Sequence, residues 1–93
     1  MSGAPTILPC VYCGGPGVAS AFNAIGGRLQ PEGAPMRSGV SYEAYVWCHE
    51  CGARGPLIEA DALAVFERRD VESLAELKAL AVERWNARPG LTA

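Results

Sequence analysis

Cys10-Val11-Tyr12-Cys13-Gly14-Gly15 and Cys48-His49-Glu50-Cys51-Gly52 are two C-x-x-C-G units with 34 residues between Cys13 and Cys48, and they hold all four cysteines of the chain. Two residues between the cysteines permit a tight turn that pairs the sulfurs and aims backbone amides at them. The glycine after the second cysteine permits a positive φ, so the chain leaves the turn without a Cβ clash. Each unit is therefore a knuckle, and two knuckles at the end of a hairpin close a four-thiolate site of Cys10, Cys13, Cys48 and Cys51. Four thiolates fill a tetrahedron, which points to one structural zinc per chain; a single iron in a rubredoxin-like arrangement uses the same ligands and is the lesser alternative. A dithiol redox centre would need one C-x-x-C opening a helix, and neither unit precedes a helical pattern. His49, the single histidine, is expected to face solvent rather than the metal.

Working outward from the knuckles, Gly17–Phe22 reads as a short strand. Tyr42–Cys48, rich in aromatics, reads as a second, with Tyr45 and Trp47 on one face and Ala44 and Val46 on the other. Residues 55–58 read as a third short strand. Between the first two, residues 23–41 carry four glycines and two prolines and are expected to form a flexible loop. From Ala60 the pattern turns helical. Leu63 and Phe66 are expected to share one face, and Ser73-Leu74-Ala75-Glu76 has the form of a capping box that would open a second helix. Leu74, Leu77, Ala81 and Trp85 then recur at spacings of three and four, and Pro89-Gly90 is expected to end the helix. The expected fold is small α+β: a zinc-ribbon-like antiparallel hairpin or three-stranded sheet, residues 6–58, followed by one or two helices over residues 60–88, two being favoured. Residues 1–93 form one domain.

The chain holds 93 residues, with 8 Lys and Arg against 10 Asp and Glu. Four thiolates and a divalent ion would take the formal charge from −2 to −4. No basic cluster accompanies this, so strong binding to a polyanion is not expected. No apolar run reaches the roughly 18 residues of a membrane span. The first residues lack a basic, then apolar, leader pattern. These features predict a cytoplasmic chain whose cysteines serve a metal rather than disulfides. No catalytic grouping is visible: there is no second histidine, no nucleophile elbow, and no glycine loop followed by lysine. The chain reads as a non-enzyme.

The motifs Leu8-Pro9-Cys10-x-x-Cys13-Gly14-Gly15, Val46-Trp47-Cys48-x-x-Cys51-Gly52-Ala53-x-Gly55-Pro56 and Trp85-Asn86-Ala87-Arg88 together resemble the restriction alleviation (Lar) family of small phage and prophage proteins. Val11 stands where that family usually has proline. The resemblance implies an intracellular, zinc-ribbon-like protein that lessens type I restriction of unmodified DNA by binding a host restriction–modification subunit. A zinc-ribbon regulator that binds nucleic acid during phage transcription or translation, and a rubredoxin-like electron carrier, are the alternatives. Arg54, Arg68, Arg69, Asn86 and Arg88 are the candidate partner contacts.

Overall fold

The computed structural model describes residues 6–31, 33–37 and 39–87. It is a three-stranded antiparallel sheet with two helices after it: β1 (Gly17–Asn23), β2 (Tyr42–Cys48), β3 (Ile58–Glu59), α1 (Ala60–Phe66) and α2 (Leu74–Asn86), the strands ordered β1-β2-β3. The small α+β fold expected from the sequence is what forms.

Alternation along β2 sets the layers. Tyr42, Ala44, Val46 and Cys48 are buried, while Glu43, Tyr45 and Trp47 face the other way and remain half-exposed. Because β1 runs Gly17 opposite Cys48 through Asn23 opposite Tyr42, the small residues Gly17, Ala19 and Ala21 share the inner face. Their lack of bulk lets α2 lie close against the ribbon. Leu74, Leu77, Ala81 and Trp85 all turn inward as their spacing predicts, and Leu80 and Val82 join them, so the buried stripe of α2 is wider than the three-and-four pattern implies. Trp85 and Leu77 are fully buried.

Two helices form, not one. Ser73 caps α2, its hydroxyl accepting from the Glu76 amide at 3.1 Å. The Glu76 carboxylate accepts in turn from the amide of Glu72, one residue before the cap, at 3.1 Å. Between the helices, Arg68 adopts a left-handed conformation with φ 53°, and the carbonyl of Leu63 accepts from the amides of both Glu67 and Arg69 at 3.0 Å. That turn stops α1 after two turns. Leu63 is buried, but Phe66 is 83% exposed, because it stands on the final turn of a short helix with no described element over it. The third strand is likewise shorter than residues 55–58. Arg54 bridges Trp47 and regular pairing resumes only at Ile58, since Pro56 between them has no amide to donate.

The connection between β1 and β2 is more structured than a free loop. The Gly27 amide donates to the Asn23 carbonyl, the Asn23 amide to Arg28 and the Gln30 amide to Ala21, and Leu29 forms a bridge with Phe22. Its second half brings Ala34, Met36 and Val40 onto the core, and the buried Tyr42 hydroxyl accepts from the Arg37 amide at 2.9 Å. The expected end of α2 at Pro89-Gly90 lies outside the described residues; within them the helix ends at Asn86 with Ala87 as its cap. Among the described residues no helix is long and apolar enough to cross a membrane.

Candidate metal centre

Cys48 is the last residue of β2 and Gly17, opposite it, the first of β1, so the two knuckles meet at one end of the ribbon. They are built alike. In the first, the Gly14 amide donates to the Cys10 carbonyl and the Cys10 amide to the Gly15 carbonyl; in the second, Gly52 donates to Cys48 and Cys48 to Ala53. Gly14 and Gly52 have φ of 76° and 79°, the left-handed turn that the glycine after each second cysteine predicts. A further bond joins the halves, from the His49 amide to the Pro16 carbonyl at 3.0 Å. Gly15 fits under the second knuckle only because it lacks a side chain: a Cβ there would stand 2.5 Å from Glu50 Cγ and 3.1 Å from Cys48 Sγ.

The four sulfurs converge. All lie within 4.8 Å of one another, with Cys13 and Cys48 at 3.4 Å and Cys10 and Cys51 at 3.7 Å. A tetrahedron with metal–sulfur bonds of about 2.3 Å has edges of about 3.8 Å, so these spacings fit a metal ion at the centre. None of the four is in a disulfide. Amides aim at the sulfurs as the knuckle geometry requires: Tyr12 to Cys10, Gly15 to Cys13 and Cys51 to Cys48, each at 3.4 Å. Cys10 and Cys48 are buried while Cys13 and Cys51 are exposed, so each knuckle contributes one shielded and one accessible ligand.

The thiols differ in acidity. The Cys51 amide, supported by the Cys13 thiol, overcomes burial and lowers Cys48 to about 6. For Cys13 the Gly15 amide pulls downward, but the facing Cys48 and Cys51 sulfurs prevail and push it up to about 12. Burial opposes ionisation of Cys10, yet the amides of Cys13 and Tyr12 and the Cys51 thiol together hold it below its usual value. Cys51 is raised: the amide of Ala53 and the Cys13 side chain favour its thiolate, but the neighbouring Cys48 and burial outweigh them. Packed thiols without a cation thus share protons rather than all ionise, and a divalent ion would relieve that crowding.

The remaining sequence-predicted residues are not brought to one place. His49 is exposed, outside the sulfur cluster, with its ring 5.8 Å from that of Trp47. Arg54 lies over the Tyr45 ring at 4.9 Å, on the outer sheet face rather than toward the thiols. There Tyr45 stacks on Phe22 at 5.0 Å, and the Trp47 indole donates to the Ser20 hydroxyl at 3.0 Å. Arg68 and Arg69 are exposed on the connector between the helices. Asn86, half-buried, spends its side-chain amide on the backbone of Thr6 and Leu8, a use that its place beside the buried Trp85 could have signalled. Arg88 lies outside the described residues. No family model, no curated protein and no solved structure gives a match to this chain.

Proposed function

We propose that Cys10, Cys13, Cys48 and Cys51 hold one structural Zn2+, and that the chain is a non-enzymatic interaction protein that lessens type I restriction by binding a restriction–modification subunit in the cytoplasm. The observation that carries the metal reading is the convergence of four sulfurs within 4.8 Å, at tetrahedral spacings. Zinc suits an all-thiolate tetrahedron, and four protein ligands leave no open position for a substrate or activated water. The free thiols accord with a reducing compartment. The restriction role rests on the resemblance carried by the two knuckles and by Trp85-Asn86-Ala87-Arg88. A protein partner is favoured over nucleic acid by the overall acidity of the chain, formally −2 before any metal is counted.

Two measurements test these levels separately. Elemental analysis of the purified chain should find one zinc, and a red ferric species in its place would assign iron instead. Expression in a restricting host should raise the plaque efficiency of unmodified phage; no rise across several type I systems would remove the restriction role and leave the metal centre standing. Binding to a defined nucleic-acid sequence that survives roughly 200 mM salt would replace the protein partner with nucleic acid.

A further inference from the structure

The last turn of α2 lies against the chain that flanks both knuckles. The Trp85 indole N–H donates to the Leu8 carbonyl at 2.7 Å, the Leu8 amide donates to Asn86 Oδ1 at 3.0 Å, and Asn86 Nδ2 donates to the Thr6 carbonyl at 2.8 Å. Leu8 is two residues before Cys10. Together the side chains of Trp85 and Asn86 bond this lead-in segment as a neighbouring strand would, satisfying backbone groups that no sheet partner reaches. The indole also lies close to the chain leaving each knuckle. A Cβ on Gly55, beyond the second, would stand 2.7 Å from Trp85 Cε3, and one on Gly17, beyond the first, 3.5 Å from Trp85 Cε2. Gly55 is itself fixed to the ribbon by its amide, which donates to the Val46 carbonyl at 2.7 Å.

We propose that Trp85 and Asn86 are positioning residues of the metal centre. Neither is a ligand, yet one dipeptide touches the chain before the first knuckle and the chain after both, so it fixes the separation of the two sulfur pairs before an ion arrives. Metal retention then depends on the end of a helix that contributes no sulfur. The inference rests on the metal reading above. Loss of groups that hold ligands in place commonly weakens metal binding by roughly 10–100-fold.

The test is zinc release from the loaded full chain to excess chromophoric chelator, at a temperature where circular dichroism shows every variant folded, alongside the absorption of the Co2+-substituted protein. Asn86→Ala should release zinc roughly 10–100-fold faster and alter the cobalt bands. Asn86→Asp, which keeps the acceptor for the Leu8 amide, should recover part of the loss. Trp85→Phe, which removes the bond to the Leu8 carbonyl, should behave like Asn86→Ala. Ser73→Ala, which removes the cap at the far end of the same helix, should match the wild type. Release from Asn86→Ala at the wild-type rate, with unchanged cobalt bands, overturns the proposal. So does equally fast release from Ser73→Ala, because helix stability alone would then explain the effect. A wild-type chain that takes up neither metal overturns the metal reading as well, which separates the two failures.

Discussion

The sulfurs of Cys13 and Cys48 lie 3.4 Å apart and are driven in opposite directions, Cys13 up to about 12 and Cys48 down to about 6. The two are linked: the Cys51 amide does most to lower Cys48, and a proton kept on Cys13 further stabilises the Cys48 thiolate beside it. In the metal-free chain the two act oppositely on stability. Cys48 favours the fold fully above its ordinary 9.0 and loses that effect as pH falls through about 6. Cys13 does so below 9.0 and loses it as pH rises toward about 12.

Metal uptake should therefore release fewer protons than there are thiols. At pH 7.5 Cys48 is already ionised, while Cys13 and the raised Cys51 still carry protons. Binding should release two or three protons, affinity should climb with pH, and the climb should steepen by one proton below the Cys48 value of about 6. Calorimetry in buffers of different ionisation enthalpy counts them; release of four at pH 7.5 would contradict this order of acidities.

Trp85 and Phe66 should behave as opposites. Trp85 is fully buried and Phe66 is 83% exposed. Trp85→Ala should cost about 3–5 kcal/mol, as for other buried aromatics. Phe66→Ser should stay within about 0.5 kcal/mol of the wild type. Denaturant unfolding of the metal-loaded chain compares the two, and equal effects would contradict the packing described.

Glu59 is placed against its surroundings. It pairs directly with Glu43 across β2 and β3, and as the residue that opens α1 it makes no side-chain cap. Glu59→Thr removes a like-charge pair, suits a strand and supplies a capping hydroxyl. It should stabilise by about 1 kcal/mol, read as a raised melting temperature. Unchanged melting would show that solvent already screens the two carboxylates.

Arg68 holds a left-handed backbone between the helices. A residue with a Cβ is disfavoured there by about 1–2 kcal/mol, which glycine avoids at some cost in unfolded-chain entropy. Arg68→Gly should give a net gain of about 0.5–1 kcal/mol. A loss of stability would show that the arginine side chain makes a contact worth more than the strain.

The legibility of the fold was uneven for physical reasons. The knuckles could be read because C-x-x-C-G encodes a turn locally, and Gly14 and Gly52 adopt the φ values that this turn demands. Ser73 and the α2 stripe could be read because capping and periodicity are also short-range. Phe66 could not, since its exposure depends on where the sheet stops supporting α1. The orientation of Arg54 was hidden for the same reason: whether a cation meets thiolates or a ring depends on strand pairing, here the bridge between Trp47 and Arg54. Gly15 was not legible as a packing requirement, which comes from Glu50 on the other knuckle.

Asn23 and Tyr42 sit opposite each other at the end of the ribbon away from the sulfurs, so the excursion between them starts and finishes at nearly one point. A strand pair of this length separates that point from the sulfurs by roughly 20 Å. At the tip, Gly26 and Gly27 are exposed, with open space where side chains would be. Lengthening a loop whose ends are already held together costs little, because closure entropy grows only with the logarithm of length. The tip is therefore a natural graft point: a fluorophore tag or peptide epitope spliced between Gly26 and Gly27 would report on the protein in cells while leaving the sulfur cluster and the helices untouched.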